Sequence, residues 1–359
     1  MNEIARKIMD KLAGIADSAF VTSSSGRIYI FSNSPSEGFV LLTKSEAYVL
    51  TDSRYFEEAS SLIKDVNVLC FTNLKETIKS LIKKHKLKKI ALEKKHVTVQ
   101  NFYSFRESFR SLGTSVICSS RLDRIISDLR VIKSEKEIKK IKEAQRLAEF
   151  AFEKVLTEIR SGVTEREIAL KIEFLMRKNG ASGIAFDFII VSGERTSLPH
   201  GKCSDKKLKN GDLLIIDIGA VLDGYHSDMT RTLCVKSASE REKNIYDVVL
   251  KAQLAGIDAV KHGVLAGDVD KVVRNVIKNY GYDKNFIHNT GHGVGLEIHE
   301  APQISVNCDT MLEAGMVITI EPGIYLPKKF GIRIEDMLLV TKDGCKNFTT
   351  IPKETLISC

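Results

Sequence analysis

Residues 137–350 carry the same segment pattern twice. From Glu137 a helical periodicity runs towards Gly162, a second helix spans Glu165–Lys178, and Gly180 closes it. From Glu242 another helix runs towards Gly263, the next spans about Gly267–Lys278, and Gly281 closes it. Both Gly-to-Gly intervals are 18 residues. A hairpin pattern follows each pair: GDLLIIDIGAVLDGYHSDMTRTLCV at 211–235 and GMVITIEPGIYLPKKFGIRIEDMLLV at 315–340. Self-similarity at fixed spacing constrains architecture more than any single motif. Two helix–helix–hairpin halves predict one α+β domain, with the antiparallel hairpins side by side in one sheet and helices covering one face.

Upstream of the repeat the pattern is different. Residues 20–70 read as short strands: FVTSSSGRIYIFS, then GFVLLTKSEAYVLTD with a polar turn at Lys44 to Glu46, then VNVLCF. Helical patterns at about Ser53–Lys64 and Lys75–His85, and a strand KKIALE, complete a mixed α/β module. The long amphipathic helix bearing Ile138, Ile141, Ala148, Phe152, Val155 and Ile159 on one stripe opens the second part. The boundary is therefore expected between residues 122 and 132, with an N-terminal α/β domain over 1–124 and a larger domain over 125–359.

Composition removes several classes of function. No apolar run approaches the roughly 18 residues of a membrane span, and even LLIIDIGAVL holds Asp217 in its middle. Asp10 and Asp17 break the first apolar stretch, which leaves no secretory signal and predicts a cytosolic protein. The seven cysteines are odd in number and scattered without a CxxC pair, as expected of reduced thiols rather than a disulfide framework or a thiolate zinc site. Most of the net charge of +8 comes from nine lysines between Lys75 and Lys95, opposed only by Glu76 and Glu93. Ile78, Leu81, Ile82 and Leu87 recur among them at helical spacing with no aromatic interleaved, so this stretch reads as a solvated helix face and no nucleic-acid partner is expected.

The chemistry lies in acids that interrupt apolar strands. Asp217 breaks LLIIDIGA and Glu321 breaks VITIEPG. An ionised carboxylate in a buried strand costs several kcal/mol unless it is paired or holds a metal. The return strands add Asp228 in HSDMTRT and Glu335 in GIRIEDM, 11 and 14 residues further on. Four carboxylates converging from equivalent hairpins exceed what one monocation balances and suit two divalent ions sharing oxygens. HNTGHGVGLEIHE supplies His288, His292 and His299, and LPHGKCSD supplies His200. A lone histidine is more often a satisfied core residue, but four of them beside four misplaced acids point to a site. Gly291, Gly293 and Gly295 leave the backbone around His292 free to approach a metal or substrate. By strand parity Ile332 and Ile334 face the core, so Arg333 and Glu335 share the opposite face and Arg333 points at the acids. The same parity puts His226 on the face of Asp228.

The stretch LPHGKCSDKKLKNGDLLIIDIGAVLDGYHSDMTRT, with HNTGHGVGLEIHE, ITIEPGIYLP and GIRIED, resembles the Xaa-Pro aminopeptidase and prolidase branch (M24B) of the metallopeptidases with the pita-bread fold. The likeness runs from about Lys133 to the C-terminus, and the earlier part, including YVLTDSRYFEEA, resembles the creatinase-type N-terminal domain of that branch. It implies that Asp217, Asp228, His292, Glu321 and Glu335 bind two divalent metal ions, Mn²⁺ being favoured over Co²⁺, Zn²⁺ or Fe²⁺ by the oxygen-rich donors. It implies further that His200, His288, His299 and Arg333 line the catalytic pocket, with Glu321 also passing a proton. Creatinase, which has the fold without the metal, lacks this ligand set. Cys203 stands where relatives commonly have Pro, and the absence of Trp removes any Trp-based substrate contact.

The activity so implied is hydrolysis of the first peptide bond of peptides with Pro in second place, through a water bridging the two metals and used as hydroxide. The alternative is an Xaa-Pro dipeptidase, which must also bind the free carboxylate of its product half. Prolidases place an Arg in the loop between Glu300 and Glu321, where this chain has no basic residue, and this favours the aminopeptidase. A non-catalytic pita-bread binding protein is the remote alternative, set against the full complement of ligands. Relatives of this size are commonly homodimers, which the resemblance implies here as well.

Overall fold

The computed structural model describes residues 1–32, 34–64 and 66–359. The chain divides into two compact units, Met1–Arg130 and Val131–Cys359.

The first unit has helices α1 (Glu3–Lys11), α2 (Ser24–Ile30), α3 (Ser53–Leu62), α4 (Leu74–His85), α5 (Val99–Arg110) and α6 (Ser120–Val131). Its six strands are β1 (Ser18–Val21), β2 (Phe39–Thr43), β3 (Ala47–Thr51), β4 (Asn67–Cys70), β5 (Lys89–Glu93) and β6 (Ser115–Ser119), in one mixed sheet ordered β4-β3-β2-β1-β5-β6. The segment 20–32, expected as a strand, turns helical after Val21. Ser23 caps α2 by accepting from Gly26 N at 3.1 Å, and the buried Arg27 turns back to donate to Thr22 O and Ser36 O. Such capping competes effectively with strand propensity in a Ser-rich stretch. Leu122, Ile125 and Ile126 of α6 are buried in this unit's core, and the unit accordingly extends to Arg130, inside the expected boundary region of 122–132 and six residues past the expected domain end at 124.

The second unit opens with α7 (Glu135–Leu156) and α8 (Glu165–Lys178), and then come β7 (Gly183–Ile184), β8 (Ile189–Ser192), β9 (Leu213–Ile218), β10 (Ala220–Leu222), β11 (Tyr225–His226) and β12 (Met229–Cys234). The second half has α9 (Glu240–Ala259) and α10 (Ala266–Asn279), then β13 (Gly291–Gly293), β14 (Glu300–Ile304), β15 (Val317–Ile320), β16 (Gly323–Leu326), β17 (Phe330–Arg333), β18 (Asp336–Val340), β19 (Cys345–Asn347) and β20 (Ile357–Ser358). Three of the four helices start at capping boxes: Ser134 with Glu137, Thr164 with Glu167, and Ser239 with Glu242. Among the described residues no helix is long and apolar enough to cross a membrane.

The two halves repeat, but their hairpins do not form one continuous sheet. They belong to separate ladders, β20-β12-β9-β8 and β14-β13-β15-β18-β19, linked among the described residues by an isolated β-bridge between Thr230 and Glu335. Each hairpin is also broken in two: β9–β12 gives way to β10–β11 after Gly219, and β15–β18 to β16–β17 after Pro322. A Cβ at Gly219 would lie 2.0 Å from Ser227 O, so only glycine admits the partner strand there, while Pro322 has no N–H to give a ladder. Helices α7 and α8 pack on the first ladder through Phe152, Ile168, Ile172 and Ile216, and α9 and α10 pack on the second half through Val249, Val273, Ile320 and Ile332.

Candidate metal centre

The breaks in the hairpins set the position of the acids. Asp217 stands near the end of β9, Glu321 just past β15, Asp228 just before β12, and Glu335 between β17 and β18. All four thus meet at the middle of the repeat, where ladders end and side chains are not committed to sheet packing. Asp217, Asp228 and Glu335 are buried, and Glu321 is half-buried.

One oxygen of Asp217, Oδ2, is 2.5 Å from Arg333 Nη2, and Oδ1 meets no hydrogen-bond donor. Glu335 Oε2 accepts from Thr230 Oγ1 at 2.7 Å, and its Oε1 likewise has no donor. His292 Nε2 lies 3.5 Å from both Asp228 Oδ2 and Glu321 Oε1. Asp228, His292 and Glu335 each present a ligand atom within 4.8 Å of the others. The His299 ring stands edge-on to that of His292, centroids 4.3 Å apart. Five of the expected ligands are thus brought together, with His299 alongside.

Electrostatics show what such a cluster lacks. Burial, then the charges of Glu335, Asp217 and Glu321, push the Asp228 carboxyl well above its usual range. Burial and Glu335 do the same to Glu321, and burial with Asp217 raises Glu335 to about 8. Asp217 is raised by burial despite Arg333. Burial lowers His292 to about 4, with His299 adding to the effect, so its imidazole is neutral and its Nε2 lone pair is available. Four carboxyls that resist ionising, two of them with orphaned buried oxygens, are a site for cations. The orphaned Asp217 Oδ1 and Glu335 Oε1, with a neutral imidazole, fit a divalent metal, because ligands of such an ion must be deprotonated and aimed.

Arg333 is fully engaged. Besides Asp217 it donates from Nη1 to Tyr325 OH at 2.7 Å and to Pro199 O at 3.2 Å, and from Nε to Thr230 Oγ1 at 3.2 Å. Tyr325 OH also contacts His288 Nε2 at 3.0 Å. His288 therefore borders the cluster through Tyr325, and burial with Arg333 nearby lowers it to about 4. His200 is exposed on the loop whose Pro199 carbonyl Arg333 holds. His226 is turned away, its Nδ1 at 3.2 Å from Gly295 O, since its β11 pairing with Val221 is separate from the ladder that follows Asp228.

The glycines around His292 have another purpose than access to a ligand. A Cβ at Gly291 would lie 2.0 Å from Thr319 O and one at Gly293 2.3 Å from Ala301 O, so these glycines let β13 fit between its neighbours. A Cβ at Gly295 would strike the Glu300 carboxylate. The Cys203 thiol donates to Phe188 O at 3.1 Å. Sequence reasoning missed Tyr325, Thr230 and Thr319, whose hydroxyl donates to Glu321 Oε1 at 3.4 Å, although a period of two carried the signal. Thr230 follows Asp228 by two, Thr319 precedes Glu321 by two, and Tyr325 pairs with Gly331, on the face of Arg333.

Comparison with known proteins places this geometry in context. Residues 139–342 match metallopeptidase family M24, and residues 3–132 match the creatinase/prolidase N-terminal domain. The chain is 41% identical to an Xaa-Pro dipeptidase of Pyrococcus horikoshii over 99% of both chains. It superposes on an Xaa-Pro dipeptidase from Bacillus anthracis with a TM-score of 0.94 at 38% identity, covering 99% of each. An X-Pro aminopeptidase from Thermotoga maritima gives 0.89 at 36% identity, covering 98% of this chain and 99% of that one.

Proposed function

The chain belongs to metallopeptidase family M24, with the creatinase/prolidase N-terminal domain, and from that premise we propose that it is an Xaa-Pro dipeptidase. The observation that carries the chemistry is the pair of orphaned carboxylate oxygens, Asp217 Oδ1 and Glu335 Oε1, in a nest of four acids around a neutral imidazole. The substrate class rests on full-length similarity to proteins named Xaa-Pro dipeptidases. This departs from the aminopeptidase expected from the sequence. The lack of a basic residue between Glu300 and Glu321 excludes one way of binding a substrate carboxylate and leaves that contact to a donor elsewhere in the pocket.

In this reading Asp217, Asp228, His292, Glu321 and Glu335 hold two divalent ions, for which hard oxygen donors with one nitrogen suit Mn²⁺, Co²⁺, Zn²⁺ or Fe²⁺. The ions, when bound, supply Lewis-acid polarisation and an acidified water. The protein does the rest. Glu321, the most accessible of the acids, takes a proton from the attacking water and delivers it to the departing prolyl nitrogen. His299 and His200 donate hydrogen bonds to the scissile carbonyl as charge develops on it. Burial holds His299 below the usual imidazole range, with His200 adding to the effect, so it acts from the neutral form. Tyr325 and Arg333 fix His288 and Asp217 so that neither has to reorganise as the bond breaks. The enzyme acts as a homodimer in the cytosol on this reading, and light scattering tests the first of these.

The deciding experiment loads the metal-free protein in turn with Mn²⁺, Co²⁺ and Zn²⁺ and offers matched Xaa-Pro dipeptides and Xaa-Pro-Xaa tripeptides. The dipeptidase reading expects cleavage of the dipeptides and little of the tripeptides. The aminopeptidase reading, favoured by the missing basic residue and by the Thermotoga structure, expects the reverse.

A further inference from the structure

The loop that carries His200 is closed at its base by one buried carboxylate, and we propose that Glu165 is a positioning residue for His200. The inference rests on the Xaa-Pro hydrolysis proposed above. Glu165 is the first residue of α8 and has no exposed surface. Its Oε1 accepts from the N–H and hydroxyl of Ser192 at 2.8 and 2.9 Å. Its Oε2 accepts from the N–H and hydroxyl of Ser204 at 3.0 and 2.6 Å. Arg195 Nε stands 3.3 Å from both oxygens. The two serines bracket residues 193–203, which include the Leu198–Pro199–His200–Gly201 turn. At the far end of that loop Arg333 holds Pro199 O, and Gly331 N donates to Thr196 Oγ1 at 2.9 Å.

Helix capping does not account for this carboxylate. The start of α8 is capped by the reciprocal bonds of Thr164 and Glu167, and the Glu165 backbone N–H goes to Lys206 O. The side chain is spent on the two ends of the His200 loop. A charged acceptor satisfied by five donors in a dry setting fixes those donors more tightly than neutral partners would. Displacement of a catalytic group by about 1 Å costs on the order of a hundredfold in rate, so this closure matters for turnover.

The test is Glu165→Gln. The amide has a single acceptor oxygen, so its NH₂ must face the N–H of Ser192 or of Ser204, and one end of the loop is released. The expected result is a fall of about tenfold or more in kcat/KM on an Xaa-Pro dipeptide at unchanged metal content, and no further fall when the change is made in His200→Ala. Hydrogen exchange should quicken in 193–204 and stay unchanged in β9 and β12. Equal losses in the two backgrounds, or unaltered exchange in 193–204, overturn the proposal. Should Glu165→Gln fail to fold, Ser204→Ala, which removes one of the hydroxyl donors, must give the same two signatures with smaller amplitude. A wild-type protein that cleaves no Xaa-Pro dipeptide overturns the functional reading, whereas faster exchange confined to 193–204 in the variant still supports the clamp.

Discussion

Arg333 Nη2 lies 2.5 Å from Asp217 Oδ2, while the other oxygen of the same carboxylate has no donor at all. The guanidinium thus occupies one edge of the acid and leaves the other directed into the cluster. Arg333→Met keeps much of the volume and removes the charge, so that Asp217 and Tyr325 lose their buried partner. Removing one member of a buried pair costs about 3–5 kcal/mol. We expect a loss of that order in urea denaturation of the metal-free protein. Added metal should restore part of it, since the cation then supplies the missing positive charge. A stability within about 1 kcal/mol of the wild type would show that the pair is not what holds Asp217.

Asp228 and His299 separate holding the metal from using it. Asp228 sits 3.5 Å from His292 Nε2 and within the group that presents three ligand atoms, so Asp228→Ala should abolish both metal content and turnover. His299 stands edge-on to the His292 ring and is not among the expected ligands, so His299→Ala should retain metal and lose about 10²–10³ in kcat, the usual cost of one oxyanion donor. Elemental analysis beside single-turnover kinetics reads both. Full metal occupancy in Asp228→Ala, or unchanged kcat in His299→Ala, removes the respective assignment.

The metal-free protein should respond to pH in a way the loaded protein does not. Asp228, Glu321 and Glu335 have raised values when folded, so the folded state keeps protons that the unfolded chain releases, and stability falls as pH rises towards the folded values, about 8 for Glu335. His288 and His292 are lowered to about 4 and act in the opposite sense, adding stability as pH rises from there to the ordinary imidazole value near 6.5. From about pH 6.5 to 8 the carboxyls are left unopposed, and the chelated protein should lose stability across that window. With metal bound the acids are held ionised and the loss should vanish. Denaturant midpoints at pH 6.5 and 8, with and without chelator, measure it.

Much of this site was legible because its chemistry contradicts its surroundings. Asp217 and Glu321 are conspicuous in apolar strands, and parity correctly set Arg333 and Glu335 on one face. The helices were legible from their apolar stripes and closing glycines, and the capping boxes at Ser134, Thr164 and Ser239 came only with the structure. What escaped depends on tertiary geometry. The first hairpin breaks at Gly219, which packs against Ser227, a residue eight positions on in sequence, and α2 comes from a capping bond in a stretch with strand-like composition. Tyr325 carries no charge and sits in an apolar run, so only its neighbours reveal it.

Behind Glu335 the next residue anchors a second ionic group. Asp336 is wholly buried and accepts from Arg231 Nη2 at 2.8 Å, Gln253 Nε2 at 3.1 Å, Asn347 Nδ2 at 2.7 Å and the Lys353 ammonium. Burial alone would raise its carboxyl, but Arg231 and Lys353 outweigh that and hold it below the usual range. Arg231 in turn donates to the carbonyl of Glu335 at 2.6 Å and to that of Thr230 at 2.9 Å, the two residues whose bridge joins the halves of the repeat. Asp336→Asn leaves two buried cations uncompensated and should cost about 3–5 kcal/mol. Because a lowered carboxyl stabilises the fold above its unfolded value, the wild-type advantage over Asp336→Asn should be full at neutral pH and shrink as pH falls through the carboxylate range. Metal affinity should weaken with it, since Arg231 holds the backbone on either side of the bridge to Glu335. Unfolding measured at pH 7 and at about pH 2, beside metal titration by calorimetry at neutral pH, tests both. A variant that loses stability yet binds metal as tightly as the wild type would separate this ion group from the site in front of it.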